Sequence, residues 1–108
     1  MPPIHENLVA GRWMRLTLAE QLANIGSEVS RILHWQESGD RTASEQALQR
    51  ALELLDLTLA NSRFPARVLE LARLRDVLCA VFLGTHEYDI PAEALENYFL
   101  PFALRAQR

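Results

Sequence analysis

Residues 17–36 read TLAEQLANIGSEVSRILHWQ, and their apolar positions decide the fold class. Leu18, Leu22, Ile25, Val29 and Ile32 recur at 4-3-4-3 spacing, the period of one helix face, with no period-2 alternation competing against it. The predicted first helix runs to about Gln36, before the turn signal Ser38-Gly39-Asp40. Thr17 followed by Glu20 has the pattern of a capping box. Met14 extends the same stripe backwards, so a start near Arg12 stands beside a start at Thr17.

Outward from that stretch the period stays helical. A second helix is predicted from about Ala43 to Asn61, with Thr42 or Ser44 near its cap. Its apolar arc of Ala47, Leu48, Ala51, Leu52, Leu54, Leu55 and Leu59 is wide enough to need two neighbours. Phe64-Pro65 ends it, because the residue before proline is pushed out of the α region. A third helix from about Ala66 to Leu83 turns Val68, Leu71, Leu74, Leu78, Val81 and Phe82 inward, with Gly84 as its stop. After a polar linker, Thr85 to Ile90, Pro91 suits the first turn of a fourth helix with the stripe Leu95, Phe99, Phe102 and Ala106. Pro101 inside it removes a backbone donor and is expected to kink it. The expectation is one all-α domain over residues 1–108, an up-down four-helix bundle with a short, loosely ordered N-terminal tail over 1–11.

Composition bounds the chemistry. The 108 residues carry eleven Arg and no Lys, fourteen Asp plus Glu, and a net charge of −3. That balance disfavours a protein built around polyanion contacts, since non-specific nucleic-acid affinity comes from basic residues neutralising phosphates. Without lysine there is no Schiff-base nucleophile, phosphate-loop lysine or Ser-Lys dyad. The single Cys79 forms no internal disulfide, and a chain of this length buries roughly two thirds of its unfolded surface without one. No signal peptide is recognisable, and the longest clean apolar run, Val77 to Leu83, is far short of the roughly 20 residues that span a bilayer. A cytoplasmic protein without membrane contact is expected.

Catalytic constellations are missing from the pattern. His5, His34 and His86 lack the spacing of a zinc site, and no Glu-x-x-His pair exists for a di-iron bundle. The acidic pairs Glu37 and Asp40, Glu53 and Asp56, and Glu93 and Glu96 fall in a turn, on polar faces or at helix starts, where acids serve the dipole or stay solvated. Arg31 and His34 are too close to match the Arg-then-His motif of helical toxin ribonucleases. Cys79 lies on the inward arc of the third helix as a small core residue. No metal or cofactor site is expected.

Two placements ask for a reason. Arg75 projects into the apolar arc of the third helix, where an unpaired guanidinium would be costly, so an at least partly buried ion pair is expected with Glu28, Asp56 or Asp89, Asp56 bordering Leu52; the other reading has Arg75 snorkel out at the bundle edge. If the first helix is continuous from Arg12, Trp13 and Trp35 share its outer face with Gln21, Asn24, Ser27, Glu28 and Arg31; the other reading folds Trp13 over the bundle end. Exposed Trp with Arg and amides suits a contact surface, and an antiparallel second copy would pair Glu28 with Arg31 reciprocally.

The segments LAEQLANIGSEVSR (18–31), ALELLDLTL (51–59) and LRDVLC (74–79), with Glu87-Tyr88, Tyr98-Phe99 and Phe102-Ala103, give the chain a resemblance. It is similar, over most of its length after Glu6, to a set of small cytosolic all-helical proteins of bacteria and archaea. That resemblance implies a compact helical domain and carries no activity. The function expected is therefore a non-enzymatic interaction or assembly module, pairing with itself as a homodimer or with another protein. The alternative is a helical enzyme or toxin-like factor acting on nucleotides or RNA, which rests on fold analogy alone.

Overall fold

The computed structural model describes residues 6–60, 65–83 and 91–106. Among them are five α-helices: α1 (Glu6–Arg15), α2 (Leu18–Ser38), α3 (Arg41–Ala60), α4 (Val68–Leu83) and α5 (Ala92–Ala106), with a 3₁₀ turn over Pro65–Arg67. No strand occurs among the described residues, whose regular structure is all helical.

The N-terminus departs from the expected loose tail. Residues 6–15 form a helix of their own, and the chain breaks at Leu16-Thr17. Thr17 is the reason. Its extended backbone (φ −68°, ψ 164°) leaves the helix, its hydroxyl accepts the Glu20 N–H at 3.1 Å, and Glu20 returns a carboxylate to the Thr17 N–H at 2.9 Å. Two orphan donors are satisfied together, which stops α2 from continuing into α1. The start near Arg12 is thereby ruled out.

Further along, caps again set the boundaries. Gly39 ends α2 in the left-handed conformation (φ 77°), which glycine adopts without steric cost, and its N–H returns to the Gln36 carbonyl. Asp40, rather than Thr42 or Ser44, caps α3, its Oδ1 accepting the Ala43 N–H at 3.0 Å. α4 begins two residues later than expected because Pro65–Arg67 winds as a 3₁₀ turn first. The Pro91 carbonyl accepts the Ala94 N–H as α5 opens, and Pro101 sits within α5 without ending it. Gly84 and the 85–90 linker lie outside the described residues, as do His5, Asn61, Phe64, His86 and Asp89.

α2 is the central element, packed along α3 on one side and α5 on another, with α4 and α1 laid against α3. The predicted α2 stripe is the core: Leu22, Ile25, Val29 and Ile32 are essentially inaccessible. Leu22, Ile25 and Val29 join Leu55 of α3, Leu71, Leu74 and Leu78 of α4, and Leu95 and Phe99 of α5, while Ile32 closes a second cluster with Ala47, Leu48 and Ala51. α3 meets both α2 and α4, as its wide apolar arc requires.

Candidate interaction surface

The outer face predicted for the first helix does not assemble as one surface. The break at Thr17 puts Trp13 on α1, where the ring is buried and its Nε1–H donates to the Thr58 hydroxyl at 2.7 Å. Gln21 completes this buried junction. Its Nε2 donates to the Trp13 and Leu16 carbonyls at 3.0 and 3.3 Å, and its Oε1 accepts from Thr58 at 3.0 Å. Trp13 therefore locks α1 onto α2 and α3.

Of the remaining candidates, Glu28 is also drawn inward. Its side chain is 11% exposed and accepts from Arg31 at 2.7 Å and from Arg50 of α3 at 3.2 Å, so both charges of the expected reciprocal pair are engaged within one chain. Asn24 is exposed and donates to the Glu20 carbonyl one turn back at 2.8 Å. Trp35 is half-buried, edge-on to the exposed His34 at 4.8 Å between ring centres. Asn24, Ser27, Arg31 and Trp35 are thus what remains of that face at the surface.

Arg75 pairs with Asp56, donating from Nε at 2.7 Å and from Nη2 at 3.4 Å. The two side chains are 38% and 53% exposed, so the pair lies at the surface between α3 and α4 instead of in the interior. The arginine stem runs over the apolar arc while its head reaches water. Asp56 stabilises the guanidinium's charged form. Arg75 also approaches the half-buried Cys79 at 3.8 Å.

The surface that sequence reading missed lies between α4 and α5. Leu69, Leu74, Val77, Ala94, Leu95 and Tyr98 line an open cleft of about 510 Å³, with Glu70 and Arg73 along its α4 wall. Leu69 stands 83% exposed at its edge. Two of the polar groups are already tied off. The Tyr98 hydroxyl donates to Glu70 Oε1 at 2.8 Å, and Arg67 donates to Glu70 Oε2 at 3.0 Å. The Tyr98 bond and Arg67 hold the Glu70 carboxyl below the usual carboxylate range, while burial and then Glu70 push the Tyr98 phenol well above its ordinary value. Arg73 has no hydrogen-bond or ion-pair partner among the described residues. The signal was present in the sequence: Leu69 falls off the predicted inward stripe of its helix, a leucine with no assigned neighbour.

Chemically the described residues offer recognition groups. They contain no cluster of three or more His, Cys, Asp or Glu side chains able to hold a metal ion. Their buried side-chain polar atoms all have partners, so none is left aimed at an absent ligand. No helix among them is long and apolar enough to cross a membrane. Comparison with family models, curated proteins and solved structures finds no match to this chain, so the α4–α5 cleft is interpreted from its own chemistry.

Proposed function

We propose that this chain is a non-enzymatic, cytoplasmic interaction module that self-associates, and that the α4–α5 cleft is its contact surface. In this reading α2–α5 form an up-down four-helix bundle with α1 folded over one end. One observation carries it: an apolar two-helix groove is left open although its acid and phenol are internally satisfied. A catalytic cleft keeps its acids and bases available to substrate, whereas this one spends them on each other and offers apolar side chains with one cation, Arg73, that is unpaired among the described residues. Such a groove is suited to the apolar face of a helix.

The test places a photoreactive side chain at position 69 and another at position 31 of α2, and irradiates the full-length protein in its native cytosol. Discrete protein adducts from position 69 that are lost on Arg73→Glu support the reading. No adduct from position 69, with nucleotide or RNA carried through purification, overturns it in favour of a nucleotide- or RNA-directed protein. Adducts confined to position 31 would instead return the contact to the Trp35 face of α2.

A further inference from the structure

The groove asks for an occupant with apolar side chains and an acid one helical turn from them, because Arg73 stands one turn along α4 from Leu69. The chain itself carries such a surface. Along the edge of α5 beside α2, where Glu96 and Leu100 border Ser27 and Ser30, Glu96, Leu100 and Leu104 follow one another at four-residue steps, with the exposed Glu93 one turn before them. Leu100 and Leu104 are 54% and 56% exposed. This stripe lies on a different face of α5 from Ala94, Leu95 and Tyr98, so it cannot fill the groove of its own molecule. Among the described residues Glu96 accepts one bond, from the Ser30 hydroxyl at 3.2 Å, which leaves the second carboxylate oxygen for a cation.

We infer that the groove is occupied by the Glu96–Leu100–Leu104 stripe of a second copy of this chain. The spacings agree: Arg73 stands four residues from Leu69 and from Val77, and Glu96 stands four residues from Leu100, about 6 Å at the α-helical rise. So do the charges, with Arg73 facing Glu96 or Glu93 while the two leucines enter between α4 and α5. One contact then accounts for the open groove, the unpaired arginine and the exposed leucines together. Groove and stripe are different patches, so the contact is heterologous: each molecule offers a groove to one neighbour and a stripe to another, giving a ring if the rotation closes and a chain of subunits if it does not.

This inference rests on the groove being a contact surface, and complementation by mixing tests it separately. Leu69→Glu disables the groove and leaves the stripe; Leu104→Glu disables the stripe and leaves the groove. Both positions are exposed, so both variants should fold, which circular dichroism and the melting temperature verify. Sedimentation velocity across roughly 1 to 100 µM should show the wild type associating, and each variant alone weakened at least about tenfold. Mixed together, the variants should form a 1:1 complex of twice the 12.3 kDa chain mass and no larger species, because one intact groove meets one intact stripe. A wild type that stays monomeric overturns the inference, as does a mixture that fails to complex or a variant that associates like wild type. If position 69 meanwhile captures a protein of another mass in an Arg73-dependent way, the cleft stands as a contact surface, while the second copy falls and self-association through the cleft falls with it.

Discussion

Gly26 of α2 and Phe99 of α5 meet so closely that a Cβ built on Gly26 would stand 2.6 Å from the Cβ of Phe99. The obstacle is the root of the aromatic side chain, fixed to its backbone, and a rotamer change cannot clear it. This contact lets two core helices approach at the centre of the bundle. Elsewhere in a helix, Gly→Ala gains about 1 kcal/mol of propensity, while forcing atoms into a packed core costs about 1–3 kcal/mol. The clash should win: Gly26→Ala is expected to lose about 1–2 kcal/mol net by urea unfolding. Gly11→Ala on α1, where the new methyl meets nothing within 4 Å, should gain up to about 1 kcal/mol and serves as the opposite control.

The Trp13, Thr58 and Gln21 junction is the second place where one atom decides a contact between elements. Thr58 has one hydroxyl proton, placed for either Gln21 Oε1 at 3.0 Å or the Leu54 carbonyl at 3.2 Å, while its oxygen accepts the Trp13 indole N–H at 2.7 Å. Thr58→Val keeps the shape and strands that buried N–H. A loss of about 2 kcal/mol is expected, the scale of one orphaned buried donor, with Thr58→Ser retaining most of the stability. In a Trp35→Phe background, where Trp13 is the one remaining tryptophan and reports on α1, fluorescence should show α1 loosening in the Val variant at denaturant concentrations where far-ultraviolet ellipticity is still native.

The helical class and the α2 core stripe were legible because burial imposes a 3.6-residue period that Leu22, Ile25, Val29 and Ile32 keep, with Leu18 at the helix start only partly buried. The α2 start was half legible. Thr17 and Glu20 announced a capping box, but the periodic position of Met14 argued equally for one long helix, and hydropathy cannot tell a continuous helix from two that both bury their faces. That ambiguity left Trp13 between the outer face of one long helix and the end of the bundle. Arg75 and Asp56 were matched in space, but burial and snorkelling stood side by side, since a helical projection gives the direction of a side chain and not how far its long stem reaches toward water. The α4–α5 cleft depends on the separation of two helices distant in sequence, which no local pattern encodes.

That difference in depth changes what Arg75→Ala should cost. A buried pair losing one partner is destabilised by about 3 kcal/mol or more, whereas a pair at the surface contributes about 0–1 kcal/mol. With both side chains more than a third exposed, about 0.5 kcal/mol is expected, screened further by salt. A double-mutant cycle with Asp56→Ala, run at low and high ionic strength, measures it. A coupling that persists unchanged in high salt would place the pair in a drier setting than its exposure indicates.

Glu70 and Tyr98 link α4 to α5 across the floor of the cleft, and their shifts have opposite pH consequences. Glu70 is shifted down by the Tyr98 hydrogen bond and by Arg67, so it binds its proton more weakly folded than unfolded. Its contribution is present above the unfolded carboxyl value, about 4.3, and is lost as pH falls through the lower folded value. Tyr98 is shifted up, by burial first and then by Glu70, so its contribution is intact below about 10 and is lost as pH rises beyond. Tyr98→Phe removes the shared hydrogen bond. Since Glu70 is 42% exposed, the neutral-pH cost should be modest, about 0.5 kcal/mol. Thermal melts at pH values from roughly 2 to 11 should show the wild-type advantage over Tyr98→Phe as a plateau that shrinks at both ends. An advantage that stayed constant into acid would mean that the phenol does not favour the ionised carboxylate, and that α4 and α5 are held across the cleft by apolar packing alone.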